Sequence, residues 1–165
     1  NEIGKAASML INALKKGKKV LTAGNGGSAA EALHMAEELC GRFRTNRRSL
    51  PGMALTADPT AITCIGNDFG FDYIFSRQIE GLGRAGDILV LFSTSGNAAN
   101  LKNALYAAKK QKMRVICLLG RDGGMIKGKA DVEIIINGDI TERIQETHQV
   151  VLHLLLDAVE NAFIG

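Results

Sequence analysis

Apolar residues fall into two rhythms along the chain. From Lys5 to Lys16, Met9, Leu10, Ala13 and Leu14 recur at the i, i+3, i+4 spacing that lines one side of a helix. The rhythm then breaks. Lys19–Ala23 is a short continuous apolar run that stops at Gly24-Asn25-Gly26-Gly27-Ser28, and Ala29–Leu39 returns to helical spacing. This strand, glycine loop and helix recur. Met53–Thr56 is followed by helical Pro59–Ile65, and Asp87–Phe92 by Ser93-Thr94-Ser95-Gly96-Asn97 and a helix over Ala98–Lys110. Arg114–Leu119 and Val132–Ile136 add two β-branched runs. Thr141–Phe163 is the longest helix, with Ile144, Val151, Leu154, Leu155, Ala158 and Ala162 on its apolar side.

Strands that are apolar throughout and separated by helices belong to a parallel sheet covered on both faces, because each parallel crossover needs a long, usually helical connection. The expected fold is α/β: a three-layer, doubly wound, five-stranded parallel sheet flanked by helices. It forms a single domain over residues 1–165, with an N-terminal helix at 1–16. Ligands of such sheets sit outside the carboxyl ends of the strands, so the functional residues are expected in the segments that follow strands.

Composition narrows the picture. At 46% hydrophobic and 22% charged residues the chain is globular, since a disordered chain has too little apolar surface to offset its conformational entropy. A formal charge of +3 is too small to argue for nucleic acid, and no nucleic-acid partner is expected. Cys40, Cys64 and Cys117 are odd in number and lack C-x-x-C spacing, which speaks against a disulfide framework and for a cytoplasmic setting. The longest apolar stretches, such as Ile88–Phe92, are too short to span a bilayer, so no membrane association is expected.

Two loops have phosphate-binding chemistry. Gly24–Ser28 lies where a strand hands over to a helix, so free N–H groups and the positive end of the helix dipole face one space. Ser28 there is either an N-cap or a hydroxyl donor. Ser93, Thr94 and Ser95 repeat the arrangement after another strand. The G-x-G-x-x-A spacing of Gly24, Gly26 and Ala29 lacks the acid about 20 residues on that a nicotinamide site wants, and neither loop ends in the Gly-Lys-Ser/Thr of a P-loop, so no nucleotide cofactor is expected.

His34 and Glu38 stand four apart on the helix after the first loop, hence on one face. They can share a proton or a metal, or be only a solvated acid beside a packing histidine. Gln145, His148 and His153 lie on the final helix, where His153 sits in a strongly apolar run and reads by default as a satisfied core histidine. Gly66–Phe71 reads as a polar turn before a new helix, in which Asn67 and Asp68 either meet sugar hydroxyls or cap that helix. The basic run Arg42, Arg44, Arg47 and Arg48 reads as a solvated loop.

Taken in order, Ala23–Ser28, His34–Leu39, Gly66–Phe71, Ser93–Asn97, Arg143–Glu146, His148 and His153 closely resemble the sugar isomerase (SIS) domain family, and within it the bacterial phosphoheptose isomerases. The resemblance implies an isomerase that interconverts sedoheptulose 7-phosphate and glycero-manno-heptose 7-phosphate by enediol proton transfer, in the supply of heptose for lipopolysaccharide. It implies Glu38 as general base and His153 as the partner acid/base. It also implies Ser93, Thr94 and Ser95 as the phosphate loop, with Asn25, Gly26, Gly27, Ser28, Glu38, Asn67, Asp68 and Gln145 as further substrate contacts. Zinc ligands by resemblance are His34, Glu38, Gln145 and His153, and the assembly is a homotetramer with sites between subunits. Two departures are Ala98, where the family usually has serine, and Glu142, where it often has aspartate. Two other readings are a non-catalytic SIS module that binds a protein partner such as the replication initiator, and an isomerase for another phosphosugar; Glu38 and His153 favour an enzyme.

Overall fold

The computed structural model describes residues 1–164. In chain order the elements are α1 (Glu2–Lys15), β1 (Val20–Gly24), α2 (Gly27–Cys40), β2 (Gly52–Ala54), α3 (Pro59–Phe69), α4 (Ser76–Leu82), β3 (Ile88–Ser93), α5 (Ala99–Lys110), β4 (Arg114–Gly120), β5 (Val132–Ile136) and α6 (Thr141–Asn161). Single 3₁₀ turns at Phe71–Tyr73 and Gly124–Ile126 complete the chain. The five strands are all parallel, in the order β2-β1-β3-β4-β5. The expected three-layer α/β arrangement around a five-stranded parallel sheet is therefore present.

The inner strands β1, β3 and β4 are buried almost throughout because alternate side chains serve different helices, whereas the edge strands leave Met53 exposed and Glu133 half-buried. Val20, Ile88, Val90, Phe92, Ile116 and Leu118 point to the face covered by α1, α2 and α6. Leu21, Ala23, Leu89, Leu91, Val115 and Cys117 point to the face covered by α4 and α5. Local chemistry sets the helix boundaries. Asn1 accepts from the Gly4 N–H at 2.8 Å to start α1, and Asp58 accepts from Thr60 and Ala61 N–H at 2.9 and 3.1 Å to start α3, with Pro59 in the first turn. At the amino edge of the sheet the buried Asp87 carboxylate receives the backbone N–H groups of Lys19 and Arg84 and pairs with the Lys19 ammonium, tying the starts of β1 and β3 together.

Some boundaries differ from the sequence expectation. Gly66–Phe71 is not a turn: Asn67, Asp68 and Phe69 form the last turn of α3, which closes at Gly70 with φ 96°. Leu154, expected on the apolar side of the last helix, is exposed, while Leu152 and Leu156 face the core. Among the described residues no helix is long and apolar enough to cross a membrane.

Candidate active site

The strand order reverses between β1 and β3, so the crevice at their carboxyl ends is the place where loops on both sides diverge and leave room for a ligand. Asn25, just past β1, and Asn100, in the first turn of α5, close across it as a reciprocal amide pair, each Nδ2 donating to the other's Oδ1 at 2.9 Å. Gly24 is needed for the tightness of the first loop: a Cβ there would lie 2.2 Å from the Ser28 carbonyl oxygen. Gly26, at φ 57°, is the N-cap of α2. Ser28 is buried one residue inside the helix, so its expected capping role is not the one it plays.

The second loop is held from within. Ser93 Oγ accepts from Gly96 N–H at 3.0 Å and Ser95 Oγ from Asn97 N–H at 3.2 Å, while Thr94 stands half-buried between them. Gly96 cannot carry a side chain, because a Cβ would fall 1.9 Å from the Gly123 carbonyl oxygen of the loop that follows β4. Neither α2 nor α5 has a side-chain N-cap; at α2 the Ser28 and Ala29 N–H groups turn back on the Asn25 and Gly26 carbonyls at 3.0 Å, so the uncapped first turn of α5 is the better cradle for an anion.

Beside these loops α2 packs on α6, and the candidate chemical groups meet there. His34 Nε2 lies 3.1 Å from Glu38 Oε1 on the same turn of α2. The His153 ring, from α6, stands edge-on to His34 with centroids 5.2 Å apart and stacks on Phe43 at 5.5 Å. Gln149 sits between the two imidazoles, its amide nitrogen 2.6 Å from His34 Nδ1 and 3.1 Å from His153 Nε2. Gln145, one turn earlier on α6, rests against Gly27, where a Cβ would lie 2.4 Å from its amide nitrogen. The donor set suits a metal ion: ligand atoms of His34, Glu37 and Glu38 all lie within 4.8 Å of one another.

His34, Glu38 and His153 are thus brought together, with Gln145 at the next turn and Asn25, Gly26 and Gly27 at the head of α2. Asn67 and Asp68 are not brought to them. They lie on α3, on the opposite face of the sheet, exposed and bonded to each other, Asn67 Nδ2 donating to Asp68 Oδ1 at 2.8 Å. The core histidine of α6 is His148 rather than His153: His148 is fully buried and its Nε2 lies 3.1 Å from the Leu119 carbonyl, whereas His153 is half-buried.

Several supporting residues were not singled out by sequence pattern. Arg47, from the basic run, has a side chain only 1% exposed and its guanidinium donates to the Glu38 and Leu39 carbonyls at 2.6 and 3.0 Å, closing the end of α2. Glu160, two turns beyond His153, accepts the backbone N–H groups of Phe43, Arg44 and Thr45 at 2.9–3.1 Å. Burial pushes the Glu160 carboxyl up, but those three N–H groups outweigh it and hold the carboxyl below its ordinary range. Gln149 alone carried a readable signal, standing midway between Gln145 and His153 at helical spacing.

Comparison with known proteins agrees with this fold. The family model described as SIS domain matches residues 1–120. A phosphoheptose isomerase of Campylobacter concisus is 49% identical over 160 residues, 97% of this chain and 85% of the relative. The structure of a phosphoheptose isomerase from Neisseria gonorrhoeae superposes with a TM-score of 0.90 at 44% identity, covering 97% of this chain and 85% of that one. One from Francisella tularensis superposes at 0.91 with 36% identity and the same coverage.

Proposed function

The chain belongs to the SIS domain family, and from that premise we propose that it is an isomerase interconverting D-sedoheptulose 7-phosphate and D-glycero-D-manno-heptose 7-phosphate in heptose biosynthesis. The observation that carries the reading is the meeting of the His34–Glu38 pair of α2 with His153 of α6, next to two N–H-rich loops at the sheet's switch point.

The reaction moves one proton between neighbouring carbons and one between their oxygens. Glu38 takes the proton from the carbon beside the carbonyl, leaving an enediol, and returns it to the other carbon. His153 passes the matching proton between the two oxygens, so that the cycle ends with both groups as they began. Ser93, Thr94 and Ser95, with the first N–H groups of α5, hold the phosphate. Asn25, Gly26, Gly27, Ser28 and Gln145 orient the sugar from the α2 side.

Zinc would be held by His34, Glu38 and His153, the imidazole and carboxylate donors it favours, together with the amide oxygen of Gln145. When bound it supplies a Lewis acid to the sugar oxygens. A homotetramer with sites between subunits is supported by two exposed surfaces. Helix α3 has no buried residue and ends beside exposed Phe69, Phe71 and Tyr73, while Leu33, Val150 and Leu154 flank the histidine cluster in the open. Asn67 and Asp68 would then reach a neighbouring subunit's sugar.

The test is turnover of sedoheptulose 7-phosphate by wild type and Glu38→Gln, before and after chelation. Product from wild type and its loss in the variant are expected. Equal turnover by both would remove Glu38 from the reaction, and no turnover by the folded wild type would remove the substrate.

A further inference from the structure

The amide of Gln149 is the least expected group in the cluster. Its nitrogen reaches an imidazole nitrogen on each of two helices, at 2.6 Å on His34 and 3.1 Å on His153. The direction of these bonds follows from the neighbour on the other side. A Glu38 carboxylate accepts only, so the His34 nitrogen 3.1 Å away, Nε2, carries the proton. In a neutral ring that leaves Nδ1 as the lone pair, which is where an amide N–H belongs. The second N–H of the same amide meets Nε2 of His153, whose proton therefore sits on Nδ1. A neutral imidazole has one lone pair to give a metal, and here both rings already give theirs to Gln149.

We propose that Gln149 is a built-in competitor for the metal: its amide occupies the space between the His34 and His153 rings, fixes the tautomer of His153, and swings aside before an ion is bound. The inference rests on the metal reading above and adds to it a residue that lowers the affinity of the site. The physical reason is an exchange. A zinc ion at about 2.0–2.1 Å from an imidazole nitrogen cannot share that lone pair with an N–H donor, so binding breaks both amide bonds and leaves a half-buried amide to find new partners. The apo cluster meanwhile is hydrogen-bonded from Gln149 through His34 to Glu38, which holds the carboxylate in position without an ion.

The experiment measures zinc affinity, by competition with a chromophoric chelator, on the full chain and on Gln149→Ala and Gln149→Leu. Leucine keeps most of the side-chain volume and alanine removes it, so the two guard against a packing artefact; melting curves confirm that each is folded. Removal of the amide is expected to tighten zinc binding about tenfold, equivalent to about 1.4 kcal/mol. In the metal-free wild type, ¹⁵N spectra of the imidazoles are expected to show His34 protonated at Nε2 and His153 at Nδ1, with a tautomer mixture at His153 alone in the variants, because Glu38 still holds His34. Unchanged affinity would overturn the proposal while leaving the metal site standing, and weaker binding would make Gln149 a ligand instead. Failure of wild type and both variants to bind zinc would overturn the metal reading and this inference together. A His34 ring protonated at Nδ1 in wild type would overturn the inference whatever the metal does.

Discussion

The two faces of the sheet are built from the same kind of strand residue but are covered differently. On the α4–α5 face the strands meet Leu101, Ala104, Leu105 and Ile79, an almost purely apolar layer. On the α1–α2–α6 face an equally apolar layer has ionisable groups threaded through it: Glu31, His148 and Glu160 are all buried, and His148 Nδ1 faces Glu31 Oε2 at 3.8 Å without a hydrogen bond. Buried polar groups are costly, so a fold keeps them where packing alone would not suffice. The first face is packed as a core beneath the loop that leads into α5; the second also aims His34, Glu38 and His153 at one point.

The largest effect should separate the faces by chemistry. Glu38→Gln and His153→Gln are expected to lower turnover of sedoheptulose 7-phosphate about 10²- to 10⁴-fold, read by coupled assay or NMR, with little change in melting temperature. A loss of folding in step with activity would erase the distinction. Packing should not separate them. Leu152→Ala on the α6 side and Leu105→Ala on the α5 side, both fully buried, should each cost about 2–5 kcal/mol in urea unfolding. A large difference between them would mean that one face carries the stability.

Glu160 gives the next step down. Glu160→Gln removes a carboxylate that accepts three backbone N–H groups and is expected to cost about 1.5–3 kcal/mol, with weaker stacking of Phe43 on His153. Because its carboxyl lies lower in the folded than in the unfolded chain, the stability it adds is full above the ordinary carboxylate range and is lost as pH falls through the folded value. Acid titration of the unfolding midpoint should therefore fall less steeply in the variant than in wild type. Smallest is Asp58→Ala at the start of α3, about 0.5–2 kcal/mol, with turnover lowered only as far as α3 contributes to an assembled site.

Much of this was legible before any coordinates. β1, β3 and β4 are nearly continuous apolar runs, and the glycine-rich exits of β1 and β3 mark the loops, so fold and switch-point loops follow from pattern. His34 and Glu38 share a face by spacing alone. Their meeting with His153 was not legible from periodicity, because it depends on the sheet order that sets α2 beside α6; family resemblance supplied it instead. Arg47 and Phe43 were hidden for a related reason: each sits in an irregular segment whose partners, Glu160 and His153, lie more than a hundred residues away. Asn67 and Asp68 show the limit of turn-forming residues as a signal, since a helix absorbed them and ended only at Gly70.

The Glu160 clamp has a consequence for how such a chain can change over generations. His153 and Glu160 are seven residues apart on one helix, about two turns, so α6 works as a ruler between the imidazole and the loop that brings Phe43 to it. Replacing residues between them leaves the ruler its length. Adding or deleting one turns everything beyond it by about 100° and carries the clamp off the loop. Lineages of this protein should accept substitutions at Leu154, Asp157 and Ala158, only apolar ones of similar size at the buried Leu155, Leu156 and Val159, and no change in the number of residues between positions 153 and 160.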